Sequence, residues 1–464
     1  MAGTKSVVLL GVLFLTTVAV AAQDEEATYR GKTVAAWKAI LKKGDPRQRL
    51  TAVLALGEAG REAVPALPEL TAALKDSQVL VRRAAAQTLA GLGTDGAPAV
   101  PALARALRDP DYSVRQLASQ ALSEVGELAI PPLLEALKEP DWVVRATVVM
   151  TLDGLSSRGP EVVKALAQAV AKDVHQTVRR LALYALANMA EDAKDAVPHL
   201  ASLLRDKDGN LRTTAALALV KIGKDSIAEL LKILGDPSAD ARLAAIQTLS
   251  QFSKEDLNES AVTAMVKALA DEDARVRQVA AMDMALLGTQ AREQGGGADV
   301  NKALFGLLKD KDVRVRRSAV AALGQVGLDE KEEITALAAA LEDKDINVRA
   351  MAVYSLSQYS HDKAPDEWRE HVMSCMAAGL KDGDRRIQFA VAKAMAPEGK
   401  FAVPALIQLV EKGKGTSRLF AAMTLGEIGP EAAVAIPALE KMSQDAATKE
   451  ARLFAKAALE KIQP

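Results

Sequence analysis

Acidic and arginine residues recur at a fixed spacing along the chain, and they are the first side chains to weigh for chemistry. In each of nine pairs the acid precedes the arginine by six residues: Asp76 and Arg82, Asp109 and Arg115, Glu139 and Arg145, Asp173 and Arg179, Asp206 and Arg212, Asp236 and Arg242, Asp271 and Arg277, Asp310 and Arg316, Asp343 and Arg349. A catalytic carboxylate and guanidinium would be expected once in a chain, whereas structural ion pairs can repeat. The recurrence therefore predicts a structural role.

Histidine and cysteine are too sparse to suggest a metal centre or a nucleophile. The four histidines are His175, His199, His361 and His371, and Cys375 is the single cysteine. One cysteine excludes an intramolecular disulfide and a cysteine-based zinc site. Glu370 and His371 are adjacent, so they point to different sides of a helix. His175 falls at a turn-cap position, and no Gly-x-Ser-x-Gly element occurs. The sequence predicts no catalytic residue, no metal and no cofactor.

One glycine-containing segment faintly resembles a phosphate-binding loop. Lys412 to Ser417 reads Lys-Gly-Lys-Gly-Thr-Ser. The P-loop spacing is missing and no strand pattern precedes the segment. We therefore expect an ordinary connection between two helices.

The elements that position these residues come from an internal repeat of roughly 30 to 39 residues. The third residue after each arginine is small: Ala85, Ala118, Val148, Ala182, Ala215, Ala245, Ala280, Ala319 and Ala352. The seventh is a leucine or methionine: Leu89, Leu122, Leu152, Leu186, Leu219, Leu249, Met284, Leu323 and Leu356. This is helical spacing, with alanine allowing close approach of a neighbouring helix. We name the helix that carries the arginine helix B.

A second helix, helix A, is predicted before each helix B. Its pattern begins with a β-branched residue followed by proline, as at Val64-Pro65, Val100-Pro101, Val197-Pro198, Val403-Pro404 and Ile436-Pro437. Proline in a first helical turn costs no hydrogen bond. A further acid often stands four residues before the arginine, where it can cap helix B: Asp45, Asp111, Asp141, Asp208, Asp273, Asp312, Asp345 and Asp384.

These motifs resemble the HEAT repeat, in particular the short repeats of phycobilisome-lyase-like proteins. The resemblance covers residues 32–462 and implies an all-α fold, an α-solenoid of about 12–13 helix-turn-helix repeats. It implies that A helices line a convex face and B helices a concave face. It also implies that each repeated Asp accepts from the backbone or from an arginine in the next unit, forming an Asp-Arg ladder along the stack.

The two ends and the irregular stretches define the expected organisation. Residues 1–22 combine Lys5, an apolar run and small residues before Gln23, which predicts a cleaved signal peptide; an uncleaved anchor is the alternative. Residues 23–31 form a lead-in. Irregular joints are expected near 289–300, read as a flexible loop, and near 357–366, read as a long connection. No later segment is expected to span a membrane.

The unit that follows the second joint departs from the repeat. Gln388 stands where arginine is expected, and Met395 stands where leucine is expected. Either this unit is a joint or a docking point for a partner, or it has drifted without structural consequence.

Composition limits the classes of function. The chain has 464 residues, 49% hydrophobic but only 3% aromatic, and 59 basic against 60 acidic residues give a net charge of −1. Few aromatics favour packed helices over sheets. The balanced charge argues against general nucleic-acid affinity. Scarce aromatics also make the exposed ones informative.

Four aromatic residues are predicted to lie at a partner-binding surface. Tyr112 and Trp142 share one position in consecutive units, and Tyr184 and Tyr354 share another that elsewhere holds glutamine. Exposed aromatic side chains are typical anchors at interfaces. The alternative is that they fill gaps between alanine-rich helices.

The sequence therefore predicts a non-catalytic interaction scaffold. It is expected to be exported to a periplasmic or extracellular location, to be monomeric, and to bind a protein or peptide on its B-helix surface. One alternative is an enzyme accessory or lyase-like chromophore-handling protein, although no cluster of basic and aromatic residues suggests a pigment pocket. DNA binding is a further alternative, which export and neutral charge disfavour.

Overall fold

Paired α-helices account for nearly all of the described chain. The structure is a computed structural model, and it describes residues 26–155, 159–295, 298–328, 331–362, 364–444 and 448–463. The predicted signal peptide lies outside these residues. The chain divides into two compact units, Met1–Ser157 and Arg158–Pro464.

The first unit begins with a short hairpin and continues with four pairs of helices. Strands β1 (Thr28–Tyr29) and β2 (Lys32–Thr33) pair antiparallel. The α-helices are α1 (Val34–Lys43), α2 (Pro46–Ala59), α3 (Leu67–Ala73), α4 (Val79–Gly91), α5 (Val100–Ala106), α6 (Tyr112–Val125), α7 (Ile130–Ala136) and α8 (Trp142–Asp153). Three 3₁₀ helices join them, at Gly60–Ala66, Gly93–Ala99 and Gly126–Ala129.

The second unit contains nine further pairs and one additional helix within its described part. Its α-helices are α9 (Pro160–Lys172), α10 (Gln176–Met189), α11 (Val197–Ser202), α12 (Gly209–Ile222), α13 (Ile227–Ile233), α14 (Ala239–Leu249), α15 (Glu259–Lys267), α16 (Ala274–Leu287), α17 (Thr289–Gly295), α18 (Ala298–Leu307), α19 (Val313–Val326), α20 (Lys331–Ala338), α21 (Ile346–Asp362), α22 (Asp366–Met376), α23 (Arg385–Met395), α24 (Val403–Lys412), α25 (Thr416–Ile428), α26 (Ile436–Ser443) and α27 (Lys449–Ile462). Its 3₁₀ helices are Ala190–Ala196, Leu203–Arg205, Lys224–Ser226, Ala268–Ala270, Ala339–Glu342, Ala377–Lys381, Ala396–Phe401 and Gly429–Ala435.

Successive B helices pack side by side within each unit. They are α2, α4, α6 and α8 in the first unit, and α10, α12, α14, α16, α19, α21, α23, α25 and α27 in the second. The small and leucine positions predicted to face inward are all buried; Ala85, Leu89, Ala319 and Leu323, for example, have no exposed surface. The predicted all-α solenoid is confirmed, because each repeat buries its apolar face only against neighbouring repeats.

The predicted helix-B caps are confirmed. The side chains of Asp45, Asp111 and Asp312 accept hydrogen bonds from backbone N–H groups in the first turns of α2, α6 and α19. His175 caps α10 through Nδ1, which accepts from the N–H of Thr177 at 3.3 Å. These bonds satisfy donors that have no partner within the helix.

Helix A begins at the proline motif in four of the five quoted cases. Pro101, Pro198, Pro404 and Pro437 all lie in the first turn of an α-helix. The exception is Pro65, which lies in the 3₁₀ helix Gly60–Ala66, and α3 begins at Leu67. A second proline, Pro68, occupies the first turn there and needs no N–H partner either.

Both irregular joints are more helical than expected. Residues 289–295 form α17, which packs against α15 and α19, and so this part of the first joint is not a loop. At the second joint, α21 continues to Asp362. Tyr359 explains the extension: its ring is 2% exposed and its hydroxyl donates to the carbonyl of Leu328 at 3.2 Å, which fixes this turn of helix to its neighbours.

The described part of the predicted lead-in, residues 26–31, folds onto the first repeat. The carbonyl of Tyr29 accepts a hydrogen bond from Nε1 of Trp37 at 2.6 Å, and the Trp37 ring is 5% exposed. The hairpin therefore covers the apolar end of α1.

One described segment is apolar enough and long enough to cross a membrane, contrary to the sequence expectation. It is Thr416–Ser443, and 44% of its most apolar window is buried. The segment comprises α25, a 3₁₀ helix and α26, with a turn at Gly429 (φ 74°). Helices α25 and α26 both pack against α27, which buries part of the apolar surface of this segment.

Candidate functional site

The repeated acid and arginine residues form a ladder between successive repeats. Nε and Nη2 of Arg316 donate to the two carboxylate oxygens of Asp343, at 2.7 and 3.0 Å. The same fork joins Arg49 to Asp76, Arg82 to Asp109, Arg242 to Asp271, Arg277 to Asp310 and Arg349 to Asp382, and Arg179 reaches Asp206 through one nitrogen. The direction is the reverse of the one implied by the resemblance: each acid accepts from the arginine of the preceding repeat.

Each rung also fixes the turn that carries it. The N–H of Asp345 donates to Asp343 at 2.8 Å, while Nη1 of Arg316 donates to the carbonyl of Asp310 at 3.0 Å. Burial alone raises the pKa of Asp343, but the hydrogen bonds from Arg316 and the backbone outweigh it and hold the pKa below its usual value. Both carboxylate oxygens thus accept structural hydrogen bonds, which explains why the pattern recurs in successive repeats.

Two arginines that the sequence assigned to the ladder do not form rungs. Arg115 and Arg212 donate through Nη1 to the backbone carbonyls of Asp109 and Asp206. The next acids, Glu139 and Asp236, pair instead with Arg108, just after α5, and with Arg205, in the 3₁₀ helix that follows α11. The reason is spacing, because Arg115 and Arg212 stand closer in sequence to the next acid than the other ladder arginines do.

The ladder ends in a neutral rung at the irregular repeat. Nε2 of Gln388 donates to Oγ1 of Thr416 at 2.8 Å and to the carbonyl of Leu380 at 3.0 Å. Gln388 is 2% exposed, so its amide replaces a buried guanidinium. The amide nitrogen thus supplies the contacts of a rung, whereas Oε1 of Gln388 is buried without a hydrogen-bond partner, so the exchange is only partly compensated.

One cluster contains residues that could act in nucleophilic chemistry. Sγ of Cys375 lies 3.7 Å from Nε2 of His371, which lies 3.1 Å from Oγ1 of Thr335. Burial raises the pKa of the Cys375 thiol, with the Thr335 hydroxyl opposing it only in part. A thiol with a raised pKa is a poor nucleophile. Within the described ranges, no group of three or more His, Cys, Asp or Glu side chains could hold a metal ion.

The segment 412–417 comprises the last residue of α24, the connection 413–415 and the first two residues of α25. Its hydroxyls serve the turn: Oγ of Ser417 donates to the carbonyl of Lys414 at 2.8 Å, and Thr416 accepts from Gln388. Gly415 has φ 56°, which lets the chain turn into α25.

The four predicted aromatic residues are exposed, but they do not form one cluster. Tyr112 and Trp142 are the first residues of the adjacent helices α6 and α8 in the first unit, 65% and 40% exposed. The guanidinium of Arg115 lies 5.6 Å from the Tyr112 ring centre. Tyr184 and Tyr354 lie in the second unit on α10 and α21, with four other B helices between them in chain order.

Tyr184 and Tyr354 belong to a larger set of exposed apolar side chains. Both stand five residues after the repeat arginine, and the same position holds Leu217 and Met282 in the second unit. These four side chains are 54%, 56%, 48% and 49% exposed. We call them the B-helix row. The first unit has Leu54 and Met150 at this position. Reading this column down all repeats would have found the additional members.

Comparison with known proteins agrees with the repeat geometry. A sequence model described as HEAT repeats matches residues 34–123, 100–187, 163–250, 227–294, 262–357 and 301–376. The chain belongs to the HEAT-repeat family. No curated protein sequence matches it significantly.

Solved structures with the HEAT-type fold are similar at low sequence identity. Kap121p has a TM-score of 0.50 and 15% identity over 92% of this chain, which spans 52% of Kap121p. Importin beta has a TM-score of 0.42 and 14% identity, with coverage of 92% and 69%. An engineered protein has a TM-score of 0.32 and 21% identity, with coverage of 86% and 99%. Such similarity concerns the fold alone.

A groove lies beside the B-helix row of this HEAT-repeat chain, in the second unit. It has a volume of about 420 Å³ and is formed by α16, α19 and α21. Met282 and Leu286 of α16, Ala321 of α19 and Met351 of α21 supply its apolar surface, and Arg314 and Arg317 supply its charge. Leu286 is 64% exposed. Met282 belongs to both the groove and the B-helix row, so the two surfaces are continuous.

Proposed function

We propose that this HEAT-repeat chain is a non-catalytic scaffold that binds a protein partner on the B-helix row of its second unit. The observation that carries the proposal is the shared register of Tyr184, Leu217, Met282 and Tyr354, which are all exposed at the same position of their B helices. Surface apolar side chains scattered singly need no explanation, whereas a set in one register indicates a binding face.

Membership of the HEAT-repeat family supports this reading, since stacked repeats build extended surfaces that suit a macromolecular partner. The tyrosines and the methionine of the row support the proposal further. Tyrosine provides a broad contact at low cost in conformational entropy, and methionine adapts to the shape of a partner.

We also propose that the protein is exported and acts outside the cytoplasm as a monomer after removal of residues 1–22. The apolar run from Val7 to Val20 and the small residues before Gln23 support export. The N-terminal residue of the protein recovered from the outer compartment tests it. A start at Gln23 is expected, and retention of Met1 would contradict cleavage.

The binding proposal is tested by affinity capture from the exported fraction with residues 23–464. The row variant changes Tyr184, Leu217, Met282 and Tyr354 to serine. The matched control changes Leu128, Val174 and Val434 to serine, which are 65%, 95% and 66% exposed but lie outside the row. A protein retained by the parent and the control but lost by the row variant is the expected result.

Equal recovery by all three chains would overturn the assignment of the row. Recovery of a pigment or other small molecule in place of a protein would overturn the scaffold proposal and favour chromophore handling.

A further inference from the structure

We propose that the groove formed by α16, α19 and α21 binds an acidic amphipathic helix of the partner. This inference rests on the proposed function and specifies the chemistry of the ligand. It is carried by the combination of an apolar floor and two flanking arginines with no carboxylate among the groove-lining residues.

The floor is a stripe of exposed apolar side chains on neighbouring helices. Met282 and Leu286 are four residues apart on α16 and so lie on the same face of that helix. They are 49% and 64% exposed. Met351 on α21 completes the floor across α19. Water contacts this surface in the free protein, and an apolar ligand would remove it.

The polarity of the floor favours a helix over an extended peptide. Gln278 and Ser318 are the uncharged polar residues among those that line the groove. An extended peptide would bring unpaired backbone N–H and C=O groups against an apolar surface, which costs free energy. A helix satisfies these groups internally and presents side chains at positions i, i+3, i+4 and i+7 to the groove.

The dimensions of the groove suit a short helix. Packed helices lie 8–10 Å apart, so three B helices span roughly 20 Å. A helix of about 13 residues covers that length at 1.5 Å per residue. Its apolar face would contact the methionines, whose flexible side chains adjust to leucine, phenylalanine or isoleucine.

The two arginines determine the charge of the ligand. Nη2 of Arg317 lies 3.8 Å from Oδ1 of Asp345, a long ion pair, and the Arg317 side chain is 42% exposed. Arg314 directs Nε and Nη2 to Asp312, at 3.1 and 2.7 Å, and its side chain is 55% exposed. Because guanidinium carries five N–H donors, both arginines retain capacity for a carboxylate on the ligand.

The test uses labelled synthetic helical peptides of about 18 residues, long enough to fold on binding. The first carries leucine on one face and glutamate beside it. The second replaces glutamate with lysine, and the third scrambles the first so that no apolar face remains. Fluorescence anisotropy with residues 23–464 gives the dissociation constants. We expect the glutamate peptide to bind about tenfold or more tightly than either of the others.

Two variants locate the site. Arg314→Glu with Arg317→Glu is expected to reverse the preference, so that the lysine peptide binds more tightly. Leu286→Glu is expected to weaken the glutamate peptide about tenfold. Leu453→Glu is the matched control, because Leu453 on α27 is 65% exposed and lies outside the groove. It should leave affinity unchanged, and thermal unfolding monitored by circular dichroism verifies that each variant is folded.

Equal binding of the glutamate and scrambled peptides would overturn the inference, as would an unchanged charge preference in the double variant. If that occurs while capture still depends on the B-helix row, the groove assignment alone fails. If no protein is captured in a row-dependent manner, the proposed function fails.

Discussion

At the scale of single residues, the most unusual group is the carboxyl of Asp283. It is 3% exposed in the interior of α16, where the equivalent residues of other repeats are threonine, alanine or serine, such as Thr248, Ala322 and Ser355. Oγ of Ser250 donates to it at 2.8 Å. Burial raises the pKa of Asp283 to about 7, and this one hydrogen bond opposes burial only in part. The carboxyl of Asp283 is therefore mostly protonated below pH 7, where an exposed aspartate would be ionised.

We predict that the parent protein loses stability as the pH rises from about 4 to 7 and that the Asp283→Asn variant lacks this loss. In that interval the unfolded chain releases the Asp283 proton while the folded chain retains it, so the free energy of unfolding falls as pH rises. It should level off above pH 7, after a loss of at most about 4 kcal/mol. Urea unfolding at pH 5 and pH 8 gives the free energy of unfolding of the parent and the variant. If the two proteins differ by the same amount at both pH values, the prediction is contradicted.

A second residue-scale prediction concerns Ala190, which has φ 49° and ψ −125° after α10. The equivalent residues Gly60, Gly126, Gly288 and Gly429 adopt positive φ without a side chain. A Cβ in this region costs about 1–3 kcal/mol. Ala190→Gly should raise the free energy of unfolding by about 1 kcal/mol.

The matched control is Ala169→Gly, inside α9, where glycine should instead lower stability by about 0.5–1 kcal/mol. Thermal and urea unfolding of both variants gives the comparison. A loss of stability in Ala190→Gly would show that the positive φ is not strained.

At the scale of elements, neighbouring B helices approach closely at particular small residues. A Cβ built on Gly324 of α19 would lie 2.7 Å from Cβ and 3.0 Å from Cα of Ser355 on α21. Gly426 of α25 has the same relation to Ala458 of α27, at 2.9 Å from its Cα. The packing of neighbouring B helices therefore requires glycine at these contacts as well as the buried leucines.

We predict that Gly324→Ala lowers the free energy of unfolding by about 1–3 kcal/mol, because α19 and α21 must separate to admit the methyl group. Gly306→Ala in α18 is the control, since a Cβ there meets nothing within 4 Å. It should raise stability by about 0.5–1 kcal/mol through helix propensity. Urea unfolding distinguishes the two, and a stabilised Gly324→Ala variant would refute the close contact.

The sequence predicted the elements well wherever a repeated residue has one fixed partner. The caps at Asp111 and Asp312 depend on contacts three residues away or fewer, and the inward positions depend on helical period. It failed where packing decides: α17 and the end of α21 are held by neighbouring helices, which no local pattern reveals. The pairing of Glu139 with Arg108 in place of Arg115 could not be predicted, because it depends on the spatial distance between neighbouring repeats. Of the B-helix row, the sequence prediction named only Tyr184 and Tyr354, because it was based on aromatic residue type and not on the repeat position that Leu217 and Met282 share with them.

At the scale of the whole molecule, each repeat is stabilised by its neighbours, and the ladder supplies the polar part of each interface. Arg316 is 4% exposed and joins the repeats of α19 and α21 through Asp343. In stacked repeats, cooperativity depends on such nearest-neighbour terms. A rung lost within the second unit should therefore uncouple the repeats on its two sides.

We predict that Arg316→Gln lowers the free energy of unfolding by about 3 kcal/mol, because Asp343 loses its partner while buried. Urea unfolding should also broaden or divide into two transitions, with earlier hydrogen exchange in α19 and α21. The adjacent Arg317→Gln is the control, since its ion pair is long and half-exposed and should contribute under about 1 kcal/mol. Equal effects of the two changes would argue against the ladder as the coupling element.

The direction of the ladder bears on how such a chain can change in length over evolution. Each regular repeat contributes one arginine to the repeat after it and one aspartate to the repeat before it, as Arg277, Asp310, Arg316 and Asp343 do in turn. A duplicated repeat therefore brings both the arginine and the aspartate that its new ion pairs require. When one repeat is deleted, the arginine of the repeat before it can pair with the aspartate of the repeat after it. The repeats that use Arg108 and Arg205 lack this interchangeability, because their donors lie outside the common register. Gain and loss of repeats should accordingly be tolerated best where consecutive rungs keep the same spacing, as from Arg49 and Asp76 to Arg82 and Asp109.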